Sequence, residues 1–440
     1  MTSDERGYIE DLYHAGLAAV GPRSAVARAL GRRGTTITVD GSDIPTSGCV
    51  AVVAIGKAAA SMAKGARDSL GEAIRNGIIL TKDGHLSADV PGFRAFEAAH
   101  PVPDQRGVVA TKAILDLAGE LRNGDLLLAL ISGGGSALLE APRPPLTLDD
   151  IQRTTDLLLR AGAPIQDLNA VRAELSLVKG GGLRRAAAPA ACVSLLLSDV
   201  LGNDPTVIAS GPTIDRQPSP HTARQVLERF GVRDRVPAAV ATSLDQTIQA
   251  APDELTGVDF EASRWFVIGD NDAFVAAAAA ESNSRGVATR IIWRQKEGEA
   301  ADLAREWVES CRAADDGVDV LLGGGEATVT VRGDGHGGRN TEFALAAAIE
   351  LKEDDSDWTI ASLASDGDDG ATDAAGGIVD AGTVKAMRSA GVSPEDALAG
   401  NDSAPALDAA GALVRPGVTG TNVNDMYVAV RRGSAAKIGA

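Results

Sequence analysis

The chain has 440 residues, of which 44% are apolar and 50 are glycine, enough to bury the cores of two globular domains. Its net charge of −18 excludes a nucleic-acid partner, which needs a basic face, and adhesion to an anionic membrane surface. The three cysteines form no CxxC and the five histidines no metal-site spacing, which excludes a disulfide scaffold and a zinc centre and fits a reducing cytoplasm. The opening residues MTSDERGYIE are too charged for a secretory leader, and no apolar run is long enough to span a bilayer. About nine lysines and about 33 arginines stand against 60 acids. That balance fits adaptation to high cytoplasmic salt, where a hydrated acidic surface keeps a chain soluble, or an acidic protein from a GC-rich genome.

In chain order, residues Asp4 to Leu30 read as a surface helix. Val50–Ile55 is a continuous apolar run that ends in Gly56-Lys57 and leads into an alanine-rich helix with Met62. A run apolar at every position predicts a strand buried on both faces, the unit of a parallel sheet. Ile78–Leu80, Leu126–Ile131 and Val193–Leu197 repeat the pattern, with helices between them. The sequence therefore predicts an α/β fold. The strand tips carry Thr81–Gly84, Ser132–Ser136 and Ser198-Asp199. In open α/β sheets ligands bind at those carboxyl ends. Residues 236–261 predict a helix and then a connection between domains. A second α/β region follows, with strands expected at Trp265–Ile268, Thr289–Trp293, Val318–Leu322 and Thr359–Leu363. Helices are expected at Phe274–Glu281 and Gly298–Cys311. Gly323-Gly324-Gly325-Glu326 is expected as a turn that ends its strand, and Thr328–Arg332 alternates as a half-exposed strand does.

Two glycine knots stand out. One is Ser132-Gly133-Gly134-Gly135-Ser136, after a buried strand; the other is Gly333-Asp334-Gly335-His336-Gly337-Gly338, followed by Arg339-Asn340 and an amphipathic helix. A strand, a glycine turn and a helix start can cradle an anion, because glycine lets the backbone approach and free N–H groups face the ligand. Three consecutive glycines are costly in chain entropy unless close approach is required. Lys57 at a strand tip and Arg339 at a helix start can neutralise phosphate. Lys57 is not part of a Walker A loop, because Ala58 stands where Ser or Thr would hold Mg²⁺. The second knot formally matches GxGxxG, but the segment before it alternates, whereas the first strand of a dinucleotide-binding unit is buried on both faces. Asp199 can accept a hydroxyl proton or hold a metal ion. Asp366, Asp368, Asp369 and Asp373 gather hard oxygen ligands in a turn after a strand, as Mg²⁺ prefers. His100 can touch substrate, and Arg172 with Lys179, seven residues apart on one helical face, offers cations to a small carboxylate.

Taken together, these motifs resemble the class II glycerate kinases, whose C-terminal part is called MOFRL. The resemblance runs through Ala54–Ala59, His100–Asp104, Leu130–Leu138, Asn169–Arg172, Lys179–Gly181, Ser198–Val200 and Ile208–Thr213. It continues through Gly323–Glu326, Gly337–Asn340 with Glu342, Asp366-Gly367 with Asp369-Gly370, and Gly420–Asp425. It implies an N-terminal Rossmann-like parallel sheet with flanking helices over residues 1–245. A smaller C-terminal α/β domain over 255–440 is implied as well, with the active site in the cleft between them. The implied reaction is ATP- and Mg²⁺-dependent phosphorylation of D-glycerate at its C2 hydroxyl, giving 2-phosphoglycerate and ADP. The implied setting is the cytoplasm, and the implied form a monomer or homodimer. In this reading Lys57, Arg339 and Asp199 are catalytic. Ser132, Gly133, Gly134, Gly135, Ser136, Gly337, Gly338 and Asn340 hold nucleotide phosphates. Arg172, His100 and Lys179 hold glycerate, and Asp366, Asp369 and Glu326 hold the metal. The alternatives are an NAD(P)H-dependent hydroxypyruvate reductase and a kinase that acts at C3.

Overall fold

The computed structural model describes residues 2–34, 36–44, 46–86, 89–215, 219–249, 263–351 and 357–433. The connection expected after residue 249 lies outside the described residues. The chain forms two compact units: residues 22–268, and residues 269–440 together with residues 1–21. No described helix is long and apolar enough to cross a membrane.

The first unit is built on a six-stranded sheet. Its order is Phe93–Ala98, Ile74–Lys82, Val50–Ile55, Leu126–Ile131, Ala191–Leu197 and Ser263–Gly269. The first five strands are all parallel. Val50–Ile55 and Leu126–Ile131 are buried at every residue, which is why they are apolar throughout instead of alternating. The apolar run thus places Val50–Ile55 at the heart of the sheet, with its tip between those of two neighbours. One expectation needs correcting. Trp265–Ile268 was assigned to the second region, yet it lies in Ser263–Gly269, the edge strand of this first sheet. Its register with a distant strand leaves no mark in a local pattern.

The second unit carries a mixed sheet in the order Thr289–Glu299, Val320–Thr328, Asp425–Arg431, Trp358–Ala364, Gly376–Val379 and Leu413–Val414. Only the first pair is parallel. The strand Asp425–Arg431 inserts between two earlier ones, so Ala364 and the sequence-distant Asp425 share one sheet tip. The helix Arg339–Leu351 lies against this sheet and is buried at every position from Asn340 to Ala348. It is a core helix and not the amphipathic one expected.

The expected surface helix over Asp4–Leu30 is two helices, Ser3–Ala19 and Pro22–Ala29. Gly21-Pro22 divides them, because proline disfavours helical backbone at the residue before it. The first helix buries Tyr8, Ile9, Leu12 and Tyr13 in the second unit, where Tyr13 donates to the Ala364 carbonyl at 2.7 Å. Gly323–Gly325 lies inside Val320–Thr328 and forms no turn. Those glycines admit close neighbours: the Trp307 ring and Trp293 Cβ at Gly323, the Asn271 side chain at Gly324 and the Lys296 backbone at Gly325. Strand structure stops at Thr328, so the alternation through Arg332 is not a strand.

Candidate active site

In the first unit, the turns after two adjacent parallel strands are tied together. Ser132 accepts a hydrogen bond from the Ala58 amide at Oγ (3.1 Å) and donates from the same atom to the Ile55 carbonyl (3.2 Å). The Lys57 amide donates to the Gly133 carbonyl at 2.9 Å. Gly56 has φ +113°, and a side chain there would collide with the Ser132 carbonyl. Glycine at 56 is therefore dictated by the approach of the second turn.

The glycines of the Ser132–Ser136 turn are bordered by expected site residues. A Cβ on Gly133 would run into the Asp199 carboxylate. One on Gly134, whose φ is +84°, would lie 3.3 Å from Lys57 Cγ and 3.3 Å from His100 Nε2. The structure thus brings Lys57, His100 and Asp199 around the Gly133-Gly134 backbone. Among the described residues, the amides of Gly134 and Gly135 meet no acceptor. The helix that follows, Gly135–Leu138, is a single turn, so these are loop donors with little helix dipole behind them. His85 Nδ1 and the Lys57 carbonyl are 3.2 Å apart. Burial, with Lys57, Lys82 and His85 nearby, pushes the His100 imidazole down to about 4, so it is neutral at pH 7.

Arg172 and Lys179 do not share a helical face: the helix Ile165–Leu175 ends before Lys179. They meet at Ser136 instead. Arg172 Nη2 donates to the Ser136 carbonyl at 2.9 Å and Lys179 Nζ to the same carbonyl at 2.8 Å. Lys179 also donates to the Leu139 carbonyl at 2.6 Å and pairs with Glu140 at 3.4 Å, both side chains having 0% exposure. Burial pushes the Lys179 ammonium down to about 8, against the pull of Glu140. A lysine so enclosed supports the turn from behind and is not presented to substrate. Ser136 Oγ and Ser210 Oγ are 2.9 Å apart, and Ser210 donates to Asn169 Oδ1 at 3.0 Å. Ala209 and Ser210 hold φ of 51° and 61°, an uncommon backbone for residues with a side chain. Glu140 and His85 carry no signal in the sequence, and Asn169 and Ser210 enter it only within the matched motifs Asn169–Arg172 and Ile208–Thr213. Their role depends on where the turn folds back.

The second knot is built differently. Its glycines approach protein: Gly333 and Gly335 pack on Gly400, Gly337 on the Ser403 hydroxyl and Gly338 on the Asp369 carboxylate. Asn401 Oδ1 accepts from the Gly333 amide at 3.1 Å and Asp402 Oδ1 from the His336 amide at 2.8 Å. The helix start expected to hold phosphate is capped from within. Asp369 accepts from the amides of Asn340 (2.9 Å) and Thr341 (2.7 Å) and from the Thr341 hydroxyl (2.8 Å). Burial raises the Asp369 carboxyl, and these hydrogen bonds draw it back.

Arg339 is charge-paired: Nη1 donates to Glu326 at 2.7 Å and Nη2 to Asp425 Oδ1 at 3.0 Å, and Asp425 Oδ2 makes an ion-pair contact with Nε at 2.7 Å. Burial opposes its charge, but Asp425 and Glu326 more than offset that and hold the guanidinium protonated. Burial pushes the Asp425 carboxyl up to about 6, with Arg339 restraining it. The structure therefore gathers Arg339, Asn340 and Asp369 around Asp425, with Glu326 on Arg339 and Gly338 against Asp369, and leaves Asp366 half-buried. The three expected metal ligands do not converge. Among the described residues no three His, Cys, Asp or Glu side chains form a metal cage.

Residues 8–245 match the domain of unknown function DUF4147, and residues 319–425 match the MOFRL family. The D-glycerate 2-kinase of Thermotoga maritima is 40% identical over 386 residues, covering 86% of this chain and 90% of that protein. The chain belongs to the MOFRL glycerate kinase family. A putative hydroxypyruvate reductase of Agrobacterium vitis is 38% identical over 431 residues, covering 96% of this chain and 93% of that protein. The crystal structure of a glycerate kinase from Thermotoga maritima matches with a TM-score of 0.86 at 35% identity, covering 98% of this chain and 100% of that one. The α/β architecture described above is thus that of the family.

Proposed function

We propose that this protein is a cytoplasmic glycerate 2-kinase that transfers the γ-phosphoryl group of ATP to the C2 hydroxyl of D-glycerate. The observation that carries the reading is the gathering of Lys57, His100 and Asp199 around backbone amides at the carboxyl edge of a parallel sheet. Phosphoryl transfer asks mainly for positioning and for neutralising charge spread over phosphate oxygens. Lys57 supplies the point charge, and the Gly134 and Gly135 amides supply fixed donors. His100 is neutral at pH 7 and accepts a hydrogen bond from the attacking hydroxyl, which orients its oxygen toward phosphorus. Arg172 meets the glycerate carboxylate while its Nη2 stays on Ser136. Within the second unit, Arg339 is the candidate cation for a nucleotide phosphate.

Mg²⁺ arrives on ATP and needs only one or two protein carboxylates. Asp199 fits it: a half-buried hard oxygen donor beside the glycine turn. Asp369 does not fit, because both of its oxygens are spent on the helix start. When bound, the ion neutralises charge on the transferring phosphoryl group.

The name of the Agrobacterium relative favours one second reading, reduction of hydroxypyruvate. Against it, the GxGxxG segment does not open directly from a strand, since the strand before it ends at Thr328, and its glycines contact Gly400, Asp402 and Asp369 of the protein itself. The test is to incubate the protein with D-glycerate, ATP and Mg²⁺ in high KCl and add enolase, which accepts 2-phosphoglycerate but not 3-phosphoglycerate. Phosphoenolpyruvate formation supports C2 transfer. ADP without phosphoenolpyruvate moves the transfer to C3. Neither product, with hydroxypyruvate-dependent oxidation of NAD(P)H, replaces the kinase by the reductase.

A further inference from the structure

The guanidinium of Arg339 is gripped from one edge. Asp425 Oδ1 accepts from Nη2 at 3.0 Å, and Asp425 Oδ2 makes an ion-pair contact with Nε at 2.7 Å without accepting a hydrogen bond. The Asp425 side chain has 0% exposure, whereas that of Arg339 keeps 29%. The third partner, Glu326, meets Nη1 at 2.7 Å and is 38% exposed. This contrast divides the three contacts. Breaking a buried pair strands an uncompensated charge, so Asp425 stays with Arg339. A solvated carboxylate exchanges for another anion at little cost. Arginine carries five N–H donors, and two of them are hydrogen-bonded to these carboxylates.

Asp425 is itself fixed from several sides. Asn340 Nδ2 donates to its Oδ1 at 3.0 Å, and Asn340 Oδ1 accepts from Ser362 at 2.6 Å. The Asp425 backbone stands between Gly325 and Ala364 of the neighbouring strands, and Asn271 Nδ2 donates to its carbonyl at 2.9 Å. The carboxylate therefore has one orientation available to it. We propose that Asp425 is the positioning residue for Arg339, holding the guanidinium edge-on so that its far edge takes a nucleotide phosphate in exchange for Glu326. The inference rests on the nucleotide-phosphate role proposed above for Arg339.

The test is calorimetric titration of the full chain with Mg²⁺-ATP, in the wild type, Asp425→Asn, Arg339→Lys and the double variant, with thermal melts alongside. Asp425→Asn keeps the shape but turns an N–H toward the arginine. It is expected to weaken ATP binding about tenfold, while leaving the KM for D-glycerate within about twofold. Arg339→Lys loses the fork and should weaken binding to a similar extent. The double variant should then lose no more than about a further twofold, because both changes remove one interaction. Wild-type affinity in Asp425→Asn, or losses that multiply in the double variant, would overturn the proposal. If Asp425→Asn does not fold, Arg339→Lys decides alone: unchanged ATP affinity sinks the idea. A wild type that binds ATP but does not phosphorylate glycerate would refute the substrate and leave this inference standing.

Discussion

The two glycine knots look alike in sequence and do opposite things in the fold. In Ser132–Ser136 the glycines lie against chemistry-bearing side chains, Asp199 at Gly133 and Lys57 with His100 at Gly134. In Gly333–Gly337 they lie against backbone and small side chains of the 400–403 loop, while Gly338 lies against Asp369, the carboxylate that also occupies the helix start beyond it. Consecutive glycine signals close approach, but the approaching group can be a ligand or the protein itself. What separates the two is whether backbone donors are left over. The first turn leaves the Gly134 and Gly135 amides without an acceptor among the described residues, and the second spends its donors on Asn401, Asp402 and Asp369.

The largest test of this contrast is Lys57→Ala. Removing the one lysine that borders the Gly134 backbone should lower kcat/KM for glycerate phosphorylation by about 10³ or more, with little change in the melting temperature. A variant within tenfold of wild type would show that phosphate is held elsewhere. Lys179→Met addresses the support behind the turn. It leaves Glu140 buried without its partner, so a destabilisation of about 3–5 kcal/mol is expected in denaturant titration. A melting curve that matches wild type would mean that the pair does not hold the turn.

A smaller effect should come from pH. The folded imidazole of His100 is pushed down to about 4, while the unfolded chain binds a proton near its ordinary value of about 6.5. Between those values the unfolded state binds more protons, so the stabilising contribution is present above about pH 6.5 and is lost as pH falls toward 4. His100→Gln is neutral throughout and removes this dependence. The wild type should therefore lose stability relative to His100→Gln as the buffer goes from pH 7 to pH 4. A constant difference across that range would show that His100 is not held neutral by its surroundings.

Part of this contrast was legible in the sequence, for a physical reason. Val50–Ile55 and Leu126–Ile131 are buried on both faces, so a continuous apolar run marks them, and the glycines and Lys57 at their tips follow directly. Asp199 was found in the same way, at the tip of Ala191–Leu197. What escaped depends on strand order. Asp425 begins a strand that slips between Val320–Thr328 and Trp358–Ala364, and nothing local in those segments shows which neighbour each will take. Gly323–Gly325 reads as a turn but serves tight packing inside a strand, because the partners that require it are Asn271, Trp307 and the Lys296 backbone. Arg339 is visible in the sequence as a cation at a helix start, but its two carboxylate partners, 13 and 86 residues away, are not visible as partners.

The most direct measurement compares one glycine from each knot. Gly134→Ala would force a side chain into a backbone at φ +84° and crowd Lys57 and His100 at 3.3 Å. Gly335→Ala would press a methyl to 2.6 Å from the Gly400 carbonyl, away from any of those groups. Steady-state kinetics and thermal melts on both variants separate the two roles. The account predicts that Gly134→Ala loses about 10²-fold in kcat/KM, because the reacting groups are displaced. It predicts that Gly335→Ala mainly lowers the melting temperature, with kcat/KM within about threefold of wild type at a temperature where it is folded. Equal losses of activity in both, or a greater loss in Gly335→Ala, would contradict the assignment of the first knot as the reactive one.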